Sequence, residues 1–308
     1  MLYNSMPNIE KIKRELRTID DPQSRRTHLM QATGMAYYLE QREAVTVGEV
    51  PINCEIYAAP KKAKKAPVIL FLPGIGTYAE MYAEFLYKLS LKGFTVVGVD
   101  LRGHGYSGGP RGYYTVEQVQ QDVSEVISYM RGRFNDQIGL FGCSIGSPLG
   151  LAVAEVDERV KVLLCHTLFL AEYPPDMMTQ FGWGTLNVTS SFMPDFKIDF
   201  RSFIDVKQLS ENNELAQLMD YDDMLTWKYP VHTLASVYSR RSQVLKREIP
   251  QRAAIIIGDR DEIISYRYIR DIIPRMKAHF DLLTVPGGRH MLPFDNIPEL
   301  VQSSADWL

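Results

Sequence analysis

The sequence has few cysteines and no long apolar run. Cys54, Cys143 and Cys165 are the only cysteines, and no two of them form a CxxC pair. An odd number without metal-ligand spacing argues against a disulfide framework or a zinc site and favours a reducing compartment, so a cytoplasmic location is expected. The longest apolar runs have strand length, whereas a membrane span needs roughly 20 apolar residues. No transmembrane segment and no signal peptide are therefore predicted.

The sequence also lacks an excess of charge of either sign. Its 34 Lys and Arg residues against 37 Asp and Glu residues give a net charge of −3, which does not indicate a nucleic-acid partner. There is no P-loop and no HExxH motif, and no cofactor is expected. Residues 103–108 match G-x-G-x-x-G, but the loop sequence at 109–112 follows instead of a helix, which argues against a dinucleotide site.

Residues 1–42 are predicted to form an N-terminal helical arm. A narrow apolar stripe at helical spacing consists of Ile9, Ile12, Leu16 and Ile19. Asp21 and Pro22 are typical of a helix start, so a second helix is expected to run from there toward Tyr38. We expect this arm to dock on the main domain; a homo-oligomer contact and a helix on a membrane surface are the alternatives.

Residues 43–167 and 251–308 alternate between short apolar runs and amphipathic stretches. The predicted strands are 44–47, 52–57, Val68–Leu72, Thr95–Val99, 138–141, 160–165, 253–257 and 282–285. The predicted helices are 78–91, Val116–Arg133, 144–155 and 268–279. Apolar strands that alternate with helices indicate an α/β fold, with a mostly parallel central sheet flanked by helices.

This alternation is interrupted at residues 168–250, an insert rich in aromatic side chains. They are Phe169, Tyr173, Phe181, Trp183, Phe192, Phe196, Phe200, Phe203, Trp227 and Tyr229. We expect the insert to be a mostly helical lid over the carboxyl ends of the strands, where open α/β sheets bind ligands. The aromatic side chains favour either an apolar acyl-binding pocket or simply the core of the lid.

Residues 142–146 match G-x-S-x-G directly after one predicted strand and at the start of a helix. A nucleophile elbow requires this strand–turn–helix setting, so Ser144 is the candidate nucleophile. Cys143 beside it is expected to be a small buried residue that fills space. The oxyanion of an acyl-transfer reaction needs two N–H donors, which we assign to the backbones of Ile145 and of Ile75 after the strand Val68–Leu72.

A serine hydroxyl also needs a base. His290 follows the last predicted strand and therefore lies at the same sheet edge as Ser144, whereas His166, which ends another strand, is its rival. His104 lies between two glycines, where a structural role is expected. The orienting carboxylate is expected after the strand at 253–257, where Asp259, Asp261 and Glu262 compete. The order Ser144, Asp261, His290 is the one that this kind of fold uses.

With these motifs placed, residues 44–308 resemble the α/β-hydrolase superfamily, and most of all its monoacylglycerol lipases and lysophospholipases. The resemblance rests on residues 72–76, 100–108, 109–112, 142–146, 258–261 and 288–290. It implies that the last residue of the G-x-x-D stretch, Asp261, is the triad acid. The oxyanion loop of these proteins usually begins with His-Gly, but here it begins with Pro73-Gly74, and residues 1–42 have no counterpart.

The resemblance implies a serine hydrolase that cleaves a small-molecule carboxylic ester through an acyl-enzyme. Catalytic Ser144, Asp261 and His290, with Ile75 and Ile145 at the oxyanion, would act without a cofactor. Dehalogenase and epoxide-hydrolase chemistry is argued against, because those relatives use an Asp nucleophile. Thioesterase, acyltransferase and aminopeptidase activities use the same triad and remain alternatives, and acidic residues of the insert are candidates to bind a peptide amine. A non-catalytic binding protein with the same fold is the third hypothesis. The acidic residues of the insert that are candidates to bind a peptide amine are Glu172, Asp176, Asp222 and Asp223.

Overall fold

A computed structural model describes residues 9–60, 65–175, 177–202, 209–210 and 217–308. Its strands are β1 (Glu43–Val47), β2 (Ile52–Tyr57), β3 (Val68–Leu72), β4 (Thr95–Val99), β5 (Ile138–Cys143), β6 (Val160–His166), β7 (Lys197–Asp199), β8 (Lys228–Pro230), β9 (Arg252–Gly258) and β10 (Asp281–Val285). Its helices are α1 (Ile9–Arg17), α2 (Pro22–Ala32), α3 (Met35–Leu39), α4 (Ala83–Ser90), α5 (Val116–Arg133), α6 (Gly146–Ala154), α7 (Met177–Phe192), α8 (Val231–Tyr238), α9 (Tyr266–Ile272), α10 (Leu292–Asp295) and α11 (Ile297–Trp307).

The central sheet has the strand order β1-β2-β4-β3-β5-β6-β9-β10. The strands from β4 to β10 in this order pair in parallel, while β2 is antiparallel to both β1 and β4. This arrangement confirms the predicted α/β fold with a mostly parallel sheet. Because the parallel strands point the same way, the loops after β3, β5, β9 and β10 all emerge at one edge.

Successive side chains of the parallel strands enter two different apolar clusters. In β3, Leu70 and Leu72 pack into one cluster with α5 and α6, while Ile69 and Phe71 pack into another with α4 and α11. All four side chains are fully buried, and each contributes about 1.5–3 kcal/mol by leaving water. Burial on both faces explains why these strands are continuous apolar runs in the sequence.

The arm contains two helices where a single one was predicted after Asp21. The Asp21 side chain accepts the N–H of Ser24 and caps α2, as its position before Pro22 indicated. Gly34 then adopts a left-handed conformation with φ 74°, which interrupts the helix before α3 begins. The apolar stripe packs inward, and Ile12 and Leu16 are buried against Leu29, Met30 and Leu218 of the insert.

The insert is more mixed than a helical lid. Besides α7 and α8 it contains β7 and β8, which pair as an antiparallel two-stranded sheet through Ile198 and Tyr229. Phe203 and Asp176 lie outside the described residues, as does the side chain of Phe181. No helix within the described ranges is long and apolar enough to cross a membrane.

The last part of the chain also departs from the expectation. The helix predicted over 268–279 is α9, which gives way to a 3-10 turn at Ile273–Arg275 because Pro274 cannot continue the α-helical hydrogen bonding. Helix α11, which was not expected from the sequence pattern, covers one face of the sheet with Leu300, Val301 and Trp307.

Candidate active site

Ser144 lies on a sharp turn between β5 and α6. Its φ of 52° is the only positive value among the described non-glycine residues, which marks a strained backbone. A Cβ atom at Gly142 would lie 2.5 Å from Cα of Ser147, and one at Gly146 would lie 2.2 Å from the carbonyl oxygen of Leu72. The turn is this tight only because both positions are glycine, as expected for a nucleophile elbow.

The structure brings the three predicted triad side chains together. His290 Nε2 lies 3.1 Å from Ser144 Oγ, and His290 Nδ1 lies 2.8 Å from Asp261 Oδ2. Ser144 follows β5, Asp261 follows β9 and His290 follows β10, so the sheet edge itself assembles the group. This is hydrogen-bonding geometry in which an imidazole can take the hydroxyl proton while a carboxylate orients the ring.

The Asp261 carboxylate is buried but well supported. Its Oδ1 accepts the backbone N–H groups of Ile263 and Ile264, both at 2.9 Å. Burial alone would raise the pKa of Asp261, but the charge and hydrogen bond of His290 outweigh burial and hold the pKa below its ordinary value. An ionised Asp261 fixes the ring tautomer and stabilises the imidazolium form.

The two competing carboxylates have other partners. Asp259 Oδ1 accepts the N–H of Gly287 at 2.8 Å and so holds the turn that leads to His290. Glu262 forms an ion pair with Arg289 at 2.9 Å. Both residues therefore shape the loops around the triad, whereas Asp261 contacts the imidazole.

His166 lies beside the triad instead of in it. Its ring centroid is 5.6 Å from that of His290, and its Nδ1 is 3.5 Å from Cys143 Sγ. Burial, reinforced by the neighbouring His290, lowers the pKa of His166 to about 3, so its ring is neutral at pH 7. Burial likewise raises the pKa of Cys143 to about 12, which leaves this cysteine a thiol. His166 and Cys143 are therefore not expected to exchange protons at neutral pH.

The loop that carries Ile75 is tethered on both sides. The N–H of Gly74 donates to Tyr82 Oη at 3.2 Å, and the N–H of Gly76 donates to Tyr229 Oη at 2.7 Å. Tyr229 also contacts His104, the residue expected to be structural. The sequence does not predict these tethers, because neither Tyr82 nor Tyr229 belongs to a local motif and Tyr229 lies 153 residues from Gly76.

A cavity of about 230 Å³ opens above Ser144 and His290. Ile75 and Ile145 line it, as do five aromatic residues of the insert: Phe169, Trp183, Phe200, Trp227 and Tyr238. The described lining contains no Asp, Glu, Lys or Arg. Phe192 and Phe196 are instead exposed. Within the described ranges, no group of His, Cys, Asp and Glu has the geometry to hold a metal ion.

Comparison with known proteins identifies a family and a relative. A family model described as Hydrolase_4, serine aminopeptidase S33, matches residues 63–297. The mouse (Mus musculus) serine hydrolase BPHL is 26% identical over 258 residues, which cover 81% of this chain and 79% of that protein.

Two solved structures have a similar fold. The monoacylglycerol lipase of Paleococcus ferrophilus superposes with a TM-score of 0.67 at 19% identity, over 83% of this chain and 97% of that chain. A soluble variant of the monoglyceride lipase of Saccharomyces cerevisiae, in complex with a substrate analogue, gives a TM-score of 0.70 at 16% identity, over 86% and 93% of the two chains.

Proposed function

The chain belongs to the Hydrolase_4 family, serine aminopeptidase S33, and is a serine hydrolase of the α/β-hydrolase superfamily; we propose that it hydrolyses an uncharged carboxylic ester with an apolar acyl group. The main support for the proposal is the series of hydrogen bonds from Asp261 through His290 to Ser144, at the base of the cavity. The described lining of this cavity contains no Asp, Glu, Lys or Arg. Such a cavity favours apolar groups, because an ionic group would lose its water without gaining a partner.

In the proposed reaction, Ser144 Oγ attacks the ester carbonyl while His290 Nε2 takes the hydroxyl proton. The N–H groups of Ile75 and Ile145 stabilise the oxyanion that forms. The tetrahedral intermediate then expels the alcohol, which receives the proton from His290, and leaves the acyl group on Ser144. Water repeats the sequence, releasing the acid and restoring the hydroxyl. Throughout, Asp261 stabilises the charged imidazole.

The positions of the acidic residues argue against a peptidase function. A free substrate amine needs a carboxylate in the cavity, yet Glu172 accepts the N–H of Ser242 at 2.8 Å and Asp223 pairs with Arg25 at 2.6 Å. Asp222 accepts the hydroxyl of Tyr78 at 2.5 Å. Of the four acidic candidates, these three are engaged elsewhere, and the fourth, Asp176, lies outside the described residues. Thioesterase and acyltransferase activities share the triad, and the thioester of the test separates the first of them from ester hydrolysis.

The test is a substrate panel assayed with Ser144→Ala as the negative control. It comprises p-nitrophenyl esters with acyl chains of roughly two to twelve carbons, since an apolar pocket discriminates between chains by their methylene groups. An acyl thioester and a prolyl-naphthylamide complete the panel. We expect kcat/KM to rise with chain length, and the Ser144→Ala variant to lose several orders of magnitude in kcat.

A fluorophosphonate probe should label the wild type and Ser128→Ala, an exposed serine on α5, but not Ser144→Ala. Undiminished hydrolysis by Ser144→Ala, or a steep preference for acetyl, would contradict the proposal. Absence of labelling in the wild type would support a non-catalytic scaffold instead.

A further inference from the structure

Arg26 of helix α2 is a buried cation, with only 5% of its surface exposed. Its Nε donates to Tyr78 Oη at 3.0 Å, and its guanidinium pairs with Glu80. The guanidinium also lies over the rings of Tyr78 and Tyr106, with its carbon 5.4 Å from each ring centroid. The arm therefore inserts a charged side chain into the core close behind the oxyanion loop, which Tyr78 follows directly.

Tyr78 connects Arg26 to the insert. Its hydroxyl donates to Asp222 Oδ2 at 2.5 Å, and Asp222 is itself only 5% exposed. The other oxygen of Asp222 accepts the N–H of Met224 at 2.9 Å, which fixes the turn that follows. A buried carboxylate is costly without a nearby cation, and Arg26, which bonds to the same tyrosine hydroxyl, is such a cation.

The residues on both sides of this turn form one wall of the cavity, and those after it contact the oxyanion loop. Met219, Leu225 and Thr226 line the cavity above the triad. The N–H of Thr226 donates to the carbonyl oxygen of Gly76 at 2.9 Å. A displacement of residues 218–226 would therefore move both the acyl-binding wall and the loop that carries Ile75.

Other contacts of α1 and α2 fall on the same segment. Leu218 is buried among apolar side chains of α1 and α2. Arg25 pairs with Asp223 at 2.6 Å, and Arg17 Nε donates to Tyr221 Oη at 3.0 Å. Several independent contacts thus converge on residues 218–223.

We infer that the arm is a positioning element for the substrate site: Arg26, acting through Tyr78 and Asp222, holds residues 218–226 against the oxyanion loop. The inference rests on the proposed ester hydrolysis for its kinetic consequences. Its structural part, the coupling between α2 and the amides of Gly76 and Thr226, does not. Arg26 is accordingly a positioning residue and not a catalytic one.

The test compares Arg26→Gln with Arg42→Gln. Arg42 pairs with the same Glu80 and also with Glu55 at 3.0 Å, so its loss disturbs the same buried ion network but leaves the bond between Arg26 and Tyr78 in place. We expect Arg26→Gln to lower kcat/KM for a twelve-carbon ester roughly 10- to 100-fold, and more than for a two-carbon ester. Arg42→Gln should lower the melting temperature without changing the chain-length profile.

Hydrogen–deuterium exchange supplies a readout that does not depend on activity. Peptides containing Gly76 and Thr226 should exchange faster in Arg26→Gln than in Arg42→Gln. If Arg26→Gln fails to fold, Tyr78→Phe removes the shared hydroxyl while keeping the ring, and the same changes are expected. Equal exchange at these amides in the Arg26→Gln and Arg42→Gln proteins, or an unchanged chain-length profile, would overturn the inference. If the wild type is inactive on every ester, the proposed function is refuted. The exchange data still test the positioning role of Arg26 in that case.

Discussion

The hydroxyl of Tyr229 lies 2.5 Å from Nε2 of His104, and this pair sets the direction of a short hydrogen-bond relay. His104 Nδ1 lies 3.0 Å from the carbonyl oxygen of Arg102, which can only accept, so Nδ1 carries the proton. Burial lowers the pKa of His104 to about 4, so the ring is neutral at pH 7 and its Nε2 accepts from Tyr229. The Tyr229 oxygen is thereby oriented to accept the N–H of Gly76.

Tyr229→Phe should therefore reduce kcat for ester hydrolysis by about tenfold, less than the loss of an oxyanion donor itself, because the loop loses a tether but keeps its amides. Steady-state kinetics on a single p-nitrophenyl ester measures this. Tyr114→Phe is the control, since the Tyr114 ring packs 5.7 Å from His104 and 6.5 Å from Tyr229. Equal kcat in the wild type and Tyr229→Phe would show that the tether is dispensable.

Asp261→Asn should lower kcat roughly 10³- to 10⁴-fold with little change in KM, because an amide cannot stabilise the imidazolium and can impose the wrong ring tautomer. Asp259→Asn serves as a matched carboxylate replacement in the same loop, where the amide oxygen can still accept the N–H of Gly287. It should retain most of the activity. The reverse ranking of the two variants would assign the acid to Asp259.

Gly146→Ala should destabilise the protein by about 1–3 kcal/mol or prevent folding, since its Cβ would lie 2.2 Å from the Leu72 oxygen. Gly150→Ala in the same helix meets its nearest atom, Cδ1 of Leu163, at 3.6 Å. That substitution should be stabilising by about 0.5–1 kcal/mol, because alanine is the better helix former. Denaturant unfolding of the two variants measures both effects, and similar unfolding free energies would argue against a crowded elbow.

Acid should destabilise the protein partly through His166. The folded pKa of about 3 lies below the unfolded value of ~6.5, so between these values the unfolded state binds the extra proton. The contribution is therefore fully present above pH ~6.5 and is lost as the pH falls toward 3. His166→Gln should flatten the dependence of the unfolding free energy on pH in this window by up to about 1.4 kcal/mol per pH unit. An unchanged slope between pH 6 and pH 4, roughly the centre of the window, would contradict this.

The sequence predicts the sheet well because each parallel strand is buried on both faces and therefore appears as a continuous apolar run. The same reasoning places Ser144, Asp261 and His290 at one sheet edge, since each follows a strand whose direction the alternation of elements implies. This reasoning does not predict helix α11, because α11 begins within a few residues of the short helix α10 and no strand separates the two.

What the sequence does not predict are contacts between distant segments. The bond between Tyr229 and Gly76 joins residues 153 positions apart, and the bond between Arg26 and Tyr78 joins residues 52 positions apart. Neither pair has a periodic pattern or a motif, because a buried tyrosine or arginine finds its partner through the tertiary fold. The choice among Asp259, Asp261 and Glu262 likewise depends on side-chain directions, which the turn geometry determines.

The arm has a kinetic consequence for folding during synthesis. Arg17 and Tyr221, which bond to each other, are 204 residues apart, and Arg25 is 198 residues from Asp223. At about 5–20 residues per second, the ribosome completes the partner segment roughly 10–40 seconds after the arm. The apolar side chains of α1 and α2 therefore lack their Leu218 contact while most of the sheet is being made. The contacts of these helices with residues 218–223 accordingly form after those of Arg26 with Tyr78 and Glu80, whose partners are synthesised much earlier.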